Sequence, residues 1–311
     1  MKLVIQVPCY NEEKTLPLVL NEIPKSINHI TEIIVQIIDD GSTDSTIQTA
    51  ETHDVDFVLK NIGNKGLGIS FDKGLRHALS IRADILVNTD GDNQYPSSMI
   101  PDLIRPIING EADIVVGDRQ TSSISHFSPV KKFFQWLGTK LTIALSGEKQ
   151  LSDAVSGFRA YSKEAMIELN VTNQFSYVLD TTIQASNKRI KTVSIPITTN
   201  APTRPSRLFS NIWEHILKSG IGLIRTFAFY KPLRLFVSLG LVFFILGIIP
   251  IARFLFLYFL EDEGTGKIQS LIIGSILISM GFNCFALGII GDLMGRNRIL
   301  IENILRRLKQ N

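Results

Sequence analysis

Cysteine is nearly absent. The 311-residue chain has two, Cys9 and Cys284, in unlike surroundings, which excludes a disulfide framework and a thiolate-rich zinc site. None of the five histidines, His29, His53, His77, His126 and His215, sits in a recognisable catalytic motif. The glycine fingerprint of dehydrogenases is missing after the first strand-like run, and Lys65 is followed by Gly66 where a P-loop requires Ser or Thr. Nor is there a signal-peptide layout, since Met1-Lys2-Leu3-Val4 runs directly into a strand pattern. Net charge is only +3, with 20% charged and 45% apolar residues, which excludes a disordered polyampholyte and a collagen-like chain. The small surplus is confined to the end: 23 basic and 24 acidic residues precede Tyr230, and 9 basic and 5 acidic follow it. A nucleic-acid binder more often spreads its basic residues over the folded domain, so the basic tail points to a membrane surface.

What is present divides the chain near Leu233. Residues 235–252 and 271–291 carry no charge over 18 and 21 positions, roughly 27 and 31 Å as helices, the thickness of a bilayer core. They are apolar around the whole circumference, whereas buried helices of a soluble domain keep a polar stripe. Pro250 suggests a kink in the first, with Arg253 snorkelling beyond it. The connecting loop is short and acidic, while Lys231, Arg234, Arg296, Arg298, Arg306, Arg307 and Lys309 flank the outer ends. The positive-inside rule then puts both termini in the cytoplasm. Residues 299–308 read as a basic amphipathic helix, and residues 208–229 as either an interfacial stripe or a helix packed on its own domain. The expected organisation is a cytoplasmic domain over 1–207, an interfacial region over 208–232, two spans within 233–295 and a basic tail over 296–311.

Before residue 200, apolar runs at 3–7, 33–38, 57–59, 85–88 and 114–116 read as buried strands. Amphipathic stretches at 16–23, 43–53, 69–80 and 99–108 read as helices between them. That order predicts an α/β domain with a mostly parallel sheet, in which ligands bind beyond the carboxyl ends of the strands. Asp39-Asp40-Gly41-Ser42-Thr43-Asp44 follows the second strand. Ser42 or Thr43 is a natural helix cap, but two adjacent carboxylates there suit nucleobase N–H groups and ribose hydroxyls. Asp90-Gly91-Asp92-Asn93-Gln94 follows the fourth strand, an all-oxygen set suited to Mg²⁺ or Mn²⁺; a calcium loop or an Asx-type turn is the other reading. The Gly63-Asn64-Lys65-Gly66 stretch offers amides and a lysine to phosphate at a helix N-terminus.

Taken with Pro8-Cys9-Tyr10-Asn11-Glu12 and Ser156-Gly157-Phe158-Arg159, these motifs resemble glycosyltransferase family 2, and within it the polyprenyl-phosphate glycosyltransferases of the dolichyl-phosphate mannose synthase type with two C-terminal spans. The resemblance implies a GT-A (Rossmann-like) domain followed by an α-helical membrane domain. It places Pro8, Tyr10, Asn11 and Glu12 around a nucleoside, Asp39 on the base with Asp40 beside it, and Lys65 near the donor. It places Asp90, Asp92 and Gln94 on the metal and donor diphosphate. Arg119 falls between donor and acceptor, with Lys131, Lys132, Ser156 and Arg159 on the acceptor-phosphate side and Asp153 near them; a cap at Ser156 and a structural ion pair at Arg159 are the other reading. Lys131, Lys132 and Gln135 depart from the arginine and serine common in relatives; lysine supplies charge without a bidentate fork. Arg204 and Arg207 occupy a loop that closes over the donor or binds head groups.

The implied reaction is metal-dependent, inverting transfer of a sugar from a UDP- or GDP-linked donor to undecaprenyl or dolichyl phosphate, in an integral membrane protein. Asp92 and Arg119 are the expected catalytic groups. The acceptor is already anionic, so no protein base is required. Relatives with two spans include tetramers, which extends the expectation to a homo-oligomer; no nucleic-acid partner is expected. A processive polysaccharide synthase would need a Gln-x-x-Arg-Trp motif, which precedes neither Trp136 nor Trp213. A membrane-anchored scaffold with a degenerate transferase domain is the remaining alternative.

Overall fold

Seven strands form one sheet: β1 (Lys2–Cys9), β2 (Glu32–Asp39), β3 (Phe57–Lys60), β4 (Ile85–Asn88), β5 (Ile114–Asp118), β6 (Arg159–Ser162) and β7 (Thr192–Pro196), in the order β3-β2-β1-β4-β6-β5-β7. The computed structural model describes residues 1–53, 55–120, 140, 143, 153, 155–171, 177–200, 228–260 and 268–310. Lys131, Lys132, Gln135, Arg204, Arg207 and residues 208–227 of the expected interfacial stripe lie outside the described residues. The chain divides into two compact units, Met1–Leu208 with Arg306–Asn311 and Phe209–Leu305.

In the first unit the strands pair in parallel except β6, which runs antiparallel between β4 and β5. The chain winds outward from β1 to β2 and β3, then returns to place β4 on the other side of β1. That reversal is the switch point at which open α/β sheets bind ligands. The helices are α1 (Leu16–Glu22), α2 (Thr46–Thr52), α3 (Leu67–Ser80), α4 (Ile100–Ile108), α5 (Lys163–Glu168) and α6 (Tyr177–Asn187). Alternation along the strands splits the core. Val4, Leu86 and Val116 pack with Phe71 and Leu75 of α3 and Tyr177 of α6, while Leu3, Ile5, Ile85 and Val87 pack with Ile100, Leu103 and Ile104 of α4.

The α3 face carries an exception to the apolar rule. Gln36, Gln6, Asn88 and Arg159 are register partners across β2, β1, β4 and β6, each at most 1% exposed. Gln36 Nε2 donates to Gln6 Oε1 at 3.3 Å and to the Gly74 carbonyl at 2.8 Å, and Gln6 Nε2 donates to Asn88 Oδ1 at 2.8 Å. Asn88 Nδ2 donates to Tyr177 Oη at 2.7 Å and to the Gly157 carbonyl at 3.1 Å. His77 Nδ1 closes the outer end against Gln36 Oε1 at 2.7 Å. Buried amides are tolerated where each finds a partner. Gly74 is required here, because a β-carbon on it would fall 2.2 Å from Gln6 Oε1.

The second unit contains α7 (Pro232–Leu260) and, as far as Leu305, α8 (Ile268–Gln310), both long and apolar enough to cross a membrane. Pro250 lies inside α7. The expected separate tail helix is instead the continuation of α8. Its 43 residues extend about 64 Å, because the charged residues after Asp292 are good helix formers and the glycines nearest the junction, Gly291 and Gly295, are tolerated in a helix. The two helices run antiparallel with backbones in contact. β-Carbons on Gly247 and Gly274 would fall 2.9 and 2.8 Å from each other's carbonyl oxygens, and those on Gly240 and Gly281 would each fall 3.0 Å from the opposite carbonyl. This is the small-residue packing of membrane helices. Arg298 lies 4.4 Å and 4.3 Å from the ring centres of Phe229 and Tyr230, an attraction between cation and aromatic faces.

Candidate active site

β1, β2 and β4 are neighbours, so the residues just beyond their carboxyl ends form one edge. Cys9, the last residue of β1, is paired with Asp39, the last of β2. On its other side a β-carbon on Gly91 would meet Cys9 Sγ at 2.9 Å, so the Asp90-Gly91-Asp92 loop lies directly on the end of β1. Burial pushes the Cys9 thiol pKa well above its ordinary value, and the charges of Glu12, Asp39, Asp90 and Asp44 push it further. Asp39 and Asp90 therefore flank one buried sulfur. Strand spacing puts the ends of β2 and β4 about 10 Å apart.

The loops at this edge are tied to one another. Asn11, in the left-handed region at φ 57°, donates its amide to Ser42 Oγ at 2.9 Å and accepts from the Thr43 amide at 2.8 Å. Ser42 and Thr43 are thus spent on the neighbouring loop rather than capping a helix; α2 starts later, with Asp44 Oδ1 accepting from the Thr46 amide at 3.0 Å. Glu12 is buried, donates its amide to Thr46 Oγ1 at 2.8 Å and accepts from Thr15 Oγ1 at 2.8 Å. Pro8 is buried within β1, and Tyr10 is 40% exposed at the edge.

The two acidic residues after β2 have different places. Asp39 accepts from the amides of Gly41 and Ser42 at 3.2 Å. Asp40 turns the other way and accepts from the Lys65 amide, the Gly66 amide and Asn61 Nδ2, each at 2.9 Å. The Gly66 amide, one of the glycine amides expected to receive phosphate, is therefore committed to Asp40, and Asp40 holds the glycine loop rather than facing the edge. The Lys65 side chain is exposed. Gly41, at φ 78°, has no room for a side chain: a β-carbon would fall 2.5 Å from the Gly63 backbone.

The β4 loop has supports that sequence reading missed. Asp92 Oδ1 accepts from the Gln94 amide at 3.0 Å, the Asx-type turn that the sequence left open. Asn200, four residues past β7, donates its amide to the Gln94 carbonyl and Nδ2 to the Asn93 carbonyl, both at 3.0 Å. Asn93 stands at φ 59°. Tyr95 is buried, stacks on Phe158 at 5.4 Å and accepts from the Gly157 amide at 3.3 Å. Position alone gives Tyr95 away, adjoining the acidic motif; Asn200 carries no local signal.

Of the residues expected on the acceptor side, Arg119 forms a fork with Asp153, Nε to Oδ2 at 2.6 Å and Nη2 to Oδ1 at 3.0 Å, with both residues buried. Burial opposes the charge of Arg119, but Tyr95, then Asp153 and Asp90, outweigh it and the guanidinium pKa is raised. Ser156 is fully buried, and its hydroxyl has no hydrogen-bond partner among the described residues. Arg159 corrects the acceptor expectation. It is 1% exposed, and it donates to the Ser156 carbonyl at 2.8 Å, the Val178 carbonyl and Thr181 Oγ1 at 3.3 Å and Thr182 Oγ1 at 2.9 Å. Its guanidinium belongs to the interior.

Among the described residues no group of three or more His, Cys, Asp or Glu side chains is arranged to hold a metal. Asp90, Asp92 and Gln94 nonetheless present hard oxygen donors from one short loop. That set fits an ion such as Mg²⁺ or Mn²⁺, which uses one or two carboxylates and completes its shell with phosphate oxygens and water.

The profile of glycosyl transferase family 2 matches residues 4–169. The chain is 30% identical over 213 residues to a UDP-N-acetylglucosamine–dolichyl-phosphate N-acetylglucosaminyltransferase of Methanococcus voltae, covering 62% of this chain and 83% of the relative. It is 27% identical over 208 residues to an undecaprenyl-phosphate mannosyltransferase of Micrococcus luteus, covering 64% and 83%. Among solved structures it resembles glucosyl-3-phosphoglycerate synthase of Mycobacterium tuberculosis in complex with Mn²⁺, UDP and phosphoglyceric acid. That match has a TM-score of 0.56 at 19% identity, covers 73% of this chain and 77% of the other, and speaks to the fold.

Proposed function

The chain belongs to glycosyl transferase family 2, and from that membership we propose that this glycosyltransferase moves a sugar from a UDP- or GDP-linked donor to the phosphate of a polyprenyl lipid. The products are a polyprenyl-phosphate-sugar and a nucleoside diphosphate. The observation that carries the reading is that Asp39, Asp90 and the Arg119–Asp153 pair stand at or just beyond the carboxyl ends of β2, β4 and β5 of one sheet, in a chain with two helices suited to a bilayer. The relatives named for dolichyl-phosphate and undecaprenyl-phosphate substrates support the choice of acceptor.

In this reading Asp39, Tyr10, Asn11 and Pro8 receive the nucleoside, and Glu12 braces their loop. Asp90, Asp92 and Gln94 hold Mg²⁺ or Mn²⁺, which when bound offsets the charge of the leaving diphosphate. Arg119, held in place by Asp153, stands beside the reacting centre, and Lys131 and Lys132 add cationic charge at the acceptor phosphate. The phosphate attacks as an anion, so the chain supplies position and charge rather than a base, and the sugar inverts. The apolar helices keep the enzyme at the plane of the lipid head groups, with both termini cytoplasmic.

The test uses the full chain with UDP- and GDP-sugars and undecaprenyl phosphate, following lipid-linked product by mass spectrometry. Product forms with added Mn²⁺ or Mg²⁺, is lost in EDTA, and is lost in Asp92→Ala although its circular dichroism is unchanged. Undiminished turnover in EDTA refutes the metal role, and product from no polyprenyl phosphate refutes the acceptor.

A further inference from the structure

We propose that the buried polar row Gln36–Gln6–Asn88–Arg159 is a positioning device for the Asp90 carboxylate, acting through the Ser156-Gly157 backbone; this rests on the metal role given above to Asp90. The row ends against that segment and pins its buried backbone groups. Asn88 Nδ2 and Tyr177 Oη both donate to the Gly157 carbonyl, at 3.1 and 2.9 Å. Arg159 Nε donates to the Ser156 carbonyl at 2.8 Å, and the Gly157 amide donates to Tyr95 Oη at 3.3 Å. The segment is held from three sides by buried groups.

What the segment faces is Asp90. A β-carbon on Gly157 would fall 3.1 Å from Tyr177 Oη and 3.2 and 3.3 Å from the two carboxylate oxygens of Asp90. The hydroxyl and the carboxylate thus crowd the same α-carbon. Burial first, and then the Asp90 charge, raise the Tyr177 pKa well above its ordinary value, as this proximity requires. Asp90 sits two residues beyond Asn88, so the strand residue that anchors Gly157 also carries the loop that Gly157 supports. An apolar row would fill the same space without any amide to satisfy. The polar row instead fixes both halves of one contact, the α-carbon of Gly157 and the carboxylate above it, from a single side chain.

The experiment measures binding of Mn²⁺ to the full chain in the presence of UDP or GDP, from the electron paramagnetic resonance of free Mn²⁺. Tyr177→Phe keeps the ring stacked on Phe71 and removes both the donor to Gly157 and the acceptor of Asn88 Nδ2; losing the support of even one such bond weakens Mn²⁺ binding about fivefold. Gly157→Ala removes no donor or acceptor of the row but sets a methyl group against both the Tyr177 hydroxyl and the Asp90 carboxylate, so it weakens Mn²⁺ binding as well. Phe71→Leu, which loosens the packing beside the Tyr177 ring but removes no hydrogen bond of the row, lowers the melting temperature and leaves Mn²⁺ affinity at the wild-type value. The more disruptive Asn88→Leu is compared only if it folds. Wild-type Mn²⁺ affinity in folded Tyr177→Phe and Gly157→Ala overturns the proposal, as does an equal loss in Phe71→Leu. A wild-type protein that binds no Mn²⁺ with either nucleotide overturns the metal reading itself, and the proposal with it.

Discussion

Replacing Asp40 with Asn separates two roles for that carboxylate. Its oxygens receive three donors at 2.9 Å, Lys65 N and Asn61 Nδ2 on Oδ1 and Gly66 N on Oδ2. Asparagine keeps one carbonyl oxygen, so the best arrangement retains the first two bonds in weaker form and turns an NH₂ group against the Gly66 amide. Losing a bond to a charged acceptor costs about 1.5–3 kcal/mol. For a domain of this size that lowers the melting temperature by about 3–10 °C. Circular dichroism melts of the detergent-solubilised chain measure the shift, and trypsin cleavage after Lys65 should quicken as the loop loosens. UDP or GDP affinity at a temperature where the variant is folded should change little. An unchanged melt and slow cleavage, together with lost nucleotide affinity, would show that Asp40 spends its charge on the ligand, and the loop-anchor account would fail.

Two further outcomes follow from buried groups. Cys9 keeps its proton in the fold, whereas the thiol of the unfolded chain ionises near pH 8.5. Stability is therefore complete below that pH and falls as pH rises past it, with a slope approaching about 1.4 kcal/mol per pH unit from this group. Denaturant melts between pH 8 and 10 should show a shallower decline in Cys9→Ala, and an identical decline would refute the assignment. In the helical unit, a β-carbon on Gly240 would fall 3.0 Å from the Gly281 carbonyl and 3.3 Å from Cys284 Cβ. Gly240→Leu should separate the helices and raise maleimide labelling of Cys284, read by peptide mass spectrometry, about tenfold or more, given a backbone contact that cannot yield. Unchanged labelling would count against the packing.

Much of the edge was legible in the sequence because buried strands leave unbroken apolar runs, and the acidic groups stand where those runs stop. β6 was not, since Arg159-Ala160-Tyr161-Ser162 contains neither an apolar run nor alternation. Arg159 was misplaced for a related reason. Carbonyls and threonines that satisfy a buried guanidinium come from α6, about twenty residues away, and nothing local announces them. Gln6, Gln36 and Asn88 look like solvent-facing interruptions until the registers of three strands are known. The glycines at 274, 281 and 288 repeat every seven residues in plain view, but only the opposite helix gives the repeat a meaning. Asp40 shows how two adjacent acids after one strand diverge: successive side chains point to opposite faces, so one stays at the edge and its neighbour turns to the loop.

The amide row also bears on how the sheet finds its alignment. Gln6 and Asn88 are separated by 82 positions in the chain, and a slip of one residue would send each to the opposite face of the sheet, among the side chains of α4. Three stranded amides at about 1–3 kcal/mol each would consume a large part of the roughly 5–15 kcal/mol that keeps a domain folded. Shifted pairings of β1 with β2 or β4 are thereby penalised as they form, and the same side chains that hold the finished sheet act as a proofreading step during its assembly.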